Sequence, residues 1–497
     1  KLSAPAPLTS GLPRCRLGPS AKPSVEAMPS TDHMMSDKAM KYLLCRPSVP
    51  APLDPNFCPF VLGKRMYMKH IAQTTQKDAV AELHFAVERP GGCCGRDKLP
   101  VFTSSHDGFD ASVFLAGEVI RYMLWQRGGL KLILCGPPKL CAALTAAFGP
   151  GGKYEFEAKT MPKIYGIPWS VTTVATVEEL PKSVELPVVC GKVADGCRIA
   201  FDLGKSDVKV VAVKDGEVLG SAETEWDVTN PDPQYHYDVI VKAMKDIAAK
   251  LPGPVIAIGG SATGAVSADS EATWCDCFPN VPPDVYKEKV VPIFQNIARN
   301  EFGNVPIKVI NDGEVTAVAG SQMIGEGSLL GISLGSSEGS GYVYADGSLT
   351  GWINENAYNP FDLNPEGPGN VWSPHRGDAS MYLGQRAATR LAKKGGVDLP
   401  EDMMPDHPNM NCASHVHHAQ CLKKIQAAMK DPTTEPQARK IYESIGVYMG
   451  YAVAQYCEYL DIKNVLILGR VTTGLGCAQR LSSSQWAFVF PARWPIG

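Results

Sequence analysis

Four short segments constrain this chain more than anything else in it. They are Asp202–Asp207 (DLGKSD), Asn311–Glu314 (NDGE), Leu334–Gly341 (LGSSEGSG) and Leu468–Gly476 (LGRVTTGLG), and each begins where an apolar, strand-like run stops. Read singly, each is an ordinary turn, because Gly accepts positive φ and Ser and Asn bond their own backbone. Read in order, they split residues 196–476 into two halves, and each half opens on a strand-rich stretch that turns on a glycine loop. A chain so patterned is α/β, with its polar loops gathered at strand ends.

The intervening segments agree. "CRIAFDLGKSDVKVVAVKDGEVLGSAETEW" reads as three short strands joined at Gly204 and at Asp215-Gly216. An amphipathic helix (YHYDVIVKAMKDIAAKL), a buried strand (PVIAIGG), a helix over Val285–Asn300 and a further strand before Asn311 follow. A long helix (PQARKIYESIGVYMGYAVAQYCEYL) and the strand KNVLILGR close the second half. Upstream, "FDASVFLAGEVIRYMLWQRGG" predicts a helix stopped by a Gly pair, then the strand LKLILCG and the helix PKLCAALTAAF. Residues 40–105 read as irregular. The boundaries predicted are 1–39 as a disordered or targeting segment, 40–190 as an N-terminal α/β domain, 196–310 and 311–476 as two lobes, and 477–497 as an atypical tail.

At 497 residues the chain exceeds one hydrophobic core. Its net charge of −3 gives no electrostatic case for nucleic acid or an anionic membrane, and no apolar run is long enough to span a bilayer. Fifteen Cys at irregular spacing read as reduced thiols, and neither Cys93-Cys94 nor Cys275-Asp276-Cys277 has the spacing of a structural zinc site. His415, His417 and His418 read as a polar loop or helix start, Trp125 as core, and the Arg376-Gly377-Asp378 triplet as an exposed loop. A cytoplasmic protein is expected, or an organellar one if residues 1–33, rich in Pro, Ser and Ala, act as a transit peptide.

Phosphoryl transfer uses residues of these types. Backbone N–H groups in glycine turns can approach phosphate oxygens, an acidic residue at a strand end can hold Mg²⁺, and a second carboxylate must take a proton from the attacking hydroxyl. The ordered set resembles the superfamily of sugar kinases, actin and heat-shock chaperones, and within it the ROK family (repressors, open reading frames and kinases). The resemblance implies a two-lobed actin-like, ribonuclease H-like α/β fold, here with a small added N-terminal α/β domain.

Carried over by motif, DLGKS resembles the first phosphate motif, placing Asp202 at Mg²⁺ and Gly204, Lys205 and Ser206 at phosphate. NDGE is similar to the segment bearing the catalytic base, which makes Asp312 the base and Asn311 a sugar contact. LGSSEGSG resembles the second phosphate motif through Gly335, Ser336, Gly339 and Gly341. ILGRVTTGLG is similar to the adenosine motif, with Gly469 and Gly474 beside the nucleotide, and GGSATGAV stands at the sugar-side loop with Gly264 retained.

The pattern departs at the sugar clamp. Trp352 replaces the family's Glu in GWINE, Glu355 falls where its His would be, and either Glu355 or Asn356 can bond a sugar hydroxyl. The Cys-rich zinc motif is absent, so no structural zinc is expected. Asp207 and Glu338 lie beside the expected phosphate path, where a carboxylate repels ATP unless it faces elsewhere or binds Mg²⁺. The resemblance implies an ATP- and Mg²⁺-dependent kinase of a small-molecule sugar. The altered clamp leaves two alternatives, a nucleotide or sugar sensor without turnover and an ATPase acting with a protein partner. Members of the family often form homodimers, and no segment here marks an interface.

Overall fold

The computed structural model describes residues 35–189, 193–205, 207–401 and 416–472, and a strand over Phe488–Pro491. From Met35 onward the chain forms one compact unit. Among the described residues no helix is long and apolar enough to cross a membrane.

The N-terminal part is an α/β layer. It comprises α1 (Asp37–Leu43), α2 (Phe60–Gln73), β1 (Val80–Glu88), β2 (Cys94–Phe102), α3 (Phe109–Arg127), β3 (Lys131–Cys135), α4 (Pro138–Ala147), α5 (Glu155–Tyr165) and β4 (Ser170–Thr173). Its sheet runs β2-β1-β3-β4, with β1 antiparallel to both β2 and β3, and β3 parallel to β4. The expectation of an irregular stretch over 40–105 is therefore corrected, since α2, β1 and β2 lie within it. Charged and Pro residues at the partly exposed positions Arg96, Asp97 and Pro100 and at the exposed Lys98 hide the strand, while Leu99, Val101 and Phe102 are buried. Helix α3 ends as its Gly pair predicts, with Gly128 at φ 85°. Trp125 is fully buried on it.

The second sheet contains β5 (Cys197–Leu203), β6 (Asp207–Lys214), β7 (Glu217–Glu225), β8 (Ala257–Ala262) and, later, β11 (Ile307–Asn311), in the order β11-β8-β5-β6-β7. Strands β5 and β6 are antiparallel, and β5, β8 and β11 are parallel. Helix α6 (Pro233–Ala248) covers one face with Ile240, Met244 and Ile247. Two short strands, β9 (Gly264–Ala265) and β10 (Trp274–Cys275), pair beyond β8. The helix expected over Val285–Asn300 is broken into α7 (Pro283–Val285), a π turn at Tyr286–Val290 and α8 (Ile293–Glu301). Pro292 caps α8, and lacking an N–H it cannot sit inside one continuous helix without breaking the ladder.

Helix α9 (Asp312–Ile324) leads into the third sheet, made of β12 (Leu329–Leu334), β13 (Glu338–Val343), β14 (Asn464–Leu468) and β15 (Phe488–Pro491), in the order β13-β12-β14-β15. Here β12 is antiparallel to β13 and parallel to β14. The arrangement repeats that of β5 with β6 and β8, so the two sheets share this three-strand core. Helices α10 (Gln385–Ala392), α11 (Val416–Ala428) and α12 (Glu435–Tyr456) pack beside this sheet through Leu391, Ile425, Ile441 and Tyr448. His417 and His418 lie in the first turn of α11, and His415 lies outside the described residues. The exposed-loop expectation for Arg376-Gly377-Asp378 holds for Arg376 and is corrected at the other two: Gly377 is buried, and Asp378 is fully buried where Arg121 of α3 pairs with it at 2.7 Å.

Candidate functional site

In parallel α/β sheets the carboxyl ends of the strands leave a crevice where ligands bind. Here β5 ends at Asp202-Leu203, β8 at Ala262, β11 at Asn311 and β12 at Leu334, and register places Asn311 beside Ala262 and Asp202 beside Ser261. A cavity of about 120 Å³ opens there. Of the residues singled out by sequence, Lys205, Gly264, Asn311, Asp312, Gly335, Ser336, Gly339 and Glu355 line it together.

Asp312 occupies the first position of α9. Asn311 caps that helix, its Oδ1 accepting from Gly313 N at 2.7 Å, while Glu314 completes a capping box. The Asn311 amide also donates to Gly264 O at 2.9 Å, tying the end of β11 to the start of β9. This double anchorage fixes Asp312, whose Oδ1 accepts from Gly313 N at 2.9 Å. Burial, with the neighbouring Asp202 charge, pushes its carboxyl up to about 6, against the Gly313 hydrogen bond and Lys205, which pull it down.

Glu355 faces the same cavity. Burial, then Asp276 and Asp312, push its carboxyl up to about 8, so it is mostly protonated at neutrality and can donate a hydrogen bond. Asp276, which sequence reasoning left inside Cys275-Asp276-Cys277, lines the cavity and pairs with Lys205 Nζ at 2.8 Å. Trp274, Tyr358 and Trp372 supply aromatic walls that the sequence also did not mark. Their signal was weak, since none sits in a motif.

Other residues singled out by sequence stand apart from the cavity. Asn356 is buried with both side-chain groups engaged, donating to Ser340 Oγ at 2.9 Å and accepting from Asn359 Nδ2 at 2.7 Å. Gly341 lies against α9, where an added Cβ would fall 2.4 Å from Glu314 Cα. By contrast, a Cβ on Gly335 would meet only Ser337 O, at 3.7 Å. The glycines of one hairpin thus divide into those that admit the helix and those that border open space. Gly204 closes the β5–β6 turn, its N donating to Asp207 O at 2.9 Å. Gly469 takes φ 112° against Leu334 O, beside the loop that begins at Gly335. Ser206 and Gly474 lie outside the described residues. Trp352 turns away from the cavity, donating to Glu185 Oε2 at 2.8 Å under the Arg127 guanidinium.

The two carboxylates beside the phosphate path are both engaged by a neighbour, although Glu338 lines the cavity. Asp207 is paired with Lys209, and Glu338 accepts from the Tyr456 hydroxyl. Burial pushes the Glu338 carboxyl up to about 7, which removes much of its charge.

Among the described residues no group of three or more His, Cys, Asp or Glu side chains could hold a metal ion. Mg²⁺, however, commonly rests on one or two carboxylates plus water and phosphate oxygens. Asp202 suits that mode, being only half-buried at a strand end. Its Oδ1 accepts from Ser261 Oγ at 2.5 Å, and its Oδ2 lies 3.9 Å from Lys209 Nζ.

No family model matches the chain, and no curated protein matches it significantly. Solved structures similar to it include a ROK family glucokinase from Streptomyces griseus in complex with glucose and AMPPNP, at 19% identity and TM-score 0.42 over 56% of this chain and 84% of that one. A ROK hexokinase from Thermus thermophilus shows 18% identity and TM-score 0.40, over 56% of this chain and 82% of that one. A ROK family transcriptional regulator, a homolog of the E. coli MLC protein, shows 18% identity and TM-score 0.41, over 55% of this chain and 64% of that one. The topology and cavity described above stand without these likenesses.

Proposed function

We propose that this chain is an ATP-dependent kinase that phosphorylates a hydroxyl of a small sugar, with Asp312 as the general base. One observation carries the reading. The Asp312 carboxyl is fixed at the start of α9, shares a cavity with the Gly335–Gly339 turn and Glu355, and is raised to about 6, near the pH at which a base works best.

The sugar hydroxyl would rest on Asp312, with Asn311 holding the loop at Gly264 and Glu355 donating to a second sugar oxygen. The N–H groups of Ser336 and Gly339 would face the phosphates, Gly335, whose own N–H donates to Ser337 O at 2.9 Å, would leave room beside them, and Lys205 would add positive charge. Asp202 would hold Mg²⁺, which when bound neutralises phosphate charge. As the hydroxyl oxygen bonds to the γ-phosphorus, its proton passes to Asp312 and the bond to the ADP oxygen breaks. Most of the rate gain comes from positioning and charge neutralisation. Trp274, Tyr358 and Trp372 present apolar faces that suit the C–H surface of a sugar ring.

A second reading, a sensor that binds without turnover, is favoured by the Lys205–Asp276 pair, which engages the one lysine that lines the cavity among the described residues before any phosphate arrives. An ATPase acting with a protein partner is the third. A coupled ADP-release assay, run with hexoses, hexosamines and N-acetylhexosamines and without any sugar, tests the proposal. ADP release that needs one of these sugars supports the kinase. Sugar-independent release supports the ATPase, and binding without release supports the sensor.

A further inference from the structure

We propose that the N-terminal α/β layer is a working part of the acceptor side of the cavity, and that Trp125 at the end of α3 is a positioning residue for Glu355 and Tyr358. The term acceptor rests on the kinase reading above, whereas the geometry does not.

The last carbonyls of a helix have no partner within it. In α3 they are taken up by the cavity wall: Trp125 O accepts from Glu355 N at 2.9 Å, and Gln126 O accepts from Asn354 N at 3.0 Å. Asn354 holds φ 52°, and its side-chain amide donates to Glu314 Oε1 at 3.1 Å and Thr350 Oγ1 at 3.2 Å. The segment that presents Glu355 is therefore pinned between α3 on one side and the start of α9, next to Asp312, on the other.

The Trp125 ring lies flat against Tyr358, with centroids 4.2 Å apart and planes 16° apart. Tyr358 lines the cavity, whereas Trp125, fully buried behind it, does not. A buried ionic lattice fixes this stack. Arg121 donates to Tyr358 O at 3.1 Å and to Asp378 Oδ1 at 2.7 Å. Glu157 of α5 accepts from Trp125 Nε1 at 3.0 Å and bonds His375 Nε2 at 2.9 Å. Buried ion pairs add little net stability over apolar packing, so geometry is the gain to look for in a lattice like this one. The negative end of the α3 dipole also lies at the Glu355 backbone, which disfavours a carboxylate there and agrees with the protonated Glu355 described above.

The test uses the full chain and two substitutions. Trp125→Met fills the space without a ring, and Trp125→Phe keeps a ring on Tyr358. The expected result for Trp125→Met is an acceptor KM raised about tenfold or more while the KM for ATP stays within about twofold, a split that general loss of folded protein does not produce. Trp125→Phe restores the acceptor KM to within about threefold of the parent. Hydrogen exchange over 352–359 speeds up in Trp125→Met alone. If Trp125→Met does not fold, the isosteric Glu157→Gln, which weakens the bond to His375, replaces it with the same readouts.

Parallel loss of both KM values, or an unchanged acceptor KM with unchanged exchange, overturns the inference. If the parent protein turns over no sugar, the kinase reading falls by itself and the exchange comparison decides this inference alone. Faster exchange confined to 352–359 and restored by Phe supports it, and uniform or unchanged exchange overturns it.

Discussion

Lys205 Nζ lies 2.8 Å from Asp276 Oδ2 inside the cavity that Asp312 and Glu355 share. The Asp276 charge raises the carboxyls of both Asp312 and Glu355, while Lys205 lowers both. Asp276→Asn removes the raising charge and frees Lys205. The acid limb of kcat/KM, set by Asp312 at about 6, is expected to move to lower pH. A pH–rate profile of the variant checks this, and an acid limb that stays in place contradicts the coupling.

Two glycines of one hairpin should respond oppositely. Gly341→Ala drives a Cβ to 2.4 Å from Glu314 Cα, and overpacking of this kind costs about 1–3 kcal/mol, read as a lower Tm. Gly335→Ala meets nothing closer than 3.7 Å, so its Tm should hold while ATP binding weakens. Thermal melts with and without ATP-Mg²⁺ separate the two effects. Equal melting temperatures for both variants would contradict the division.

Glu338 gives a pH dependence of stability. Its carboxyl is raised from an ordinary 4.5 to about 7 by burial, so the folded state holds the proton more tightly than the unfolded state. The resulting stabilisation is present below about 4.5 and is lost as pH rises to about 7. Glu338→Gln should flatten the fall of Tm between pH 5 and 8. An unchanged slope would mean that Glu338 does not titrate in this range.

Tyr456 is the donor to Glu338. Tyr456→Phe takes a hydrogen-bond donor from that buried carboxyl, which costs about 1–3 kcal/mol. Denaturant melts measure the loss, which should be larger at pH 8 than at pH 5, because the ionised carboxyl suffers more from losing a donor.

Much of this was legible in the sequence, for local reasons. The apolar runs before Asp202, Asn311 and Leu468 gave away their strands, and the Gly pair after Arg127 marked the end of α3. The cluster around Asp312 followed from the order of the glycine turns. What stayed hidden depends on partners far along the chain. Asp378 looks like a loop residue until Arg121, distant in sequence, buries it. Asp276 sits between two cysteines and reveals its role only beside Lys205. Gly341 reads as a phosphate residue because motif spacing cannot tell open space from the backbone of α9.

The most direct measurement of the central claim is sugar-dependent ADP release by Asp312→Asn beside the parent protein, with ATP-Mg²⁺ affinity measured on both. The account predicts that kcat falls by about 10²–10⁴-fold, the usual worth of a general base, while ATP affinity stays within about threefold. A variant that keeps its turnover, or a parent that binds ATP-Mg²⁺ yet phosphorylates no sugar, would contradict it.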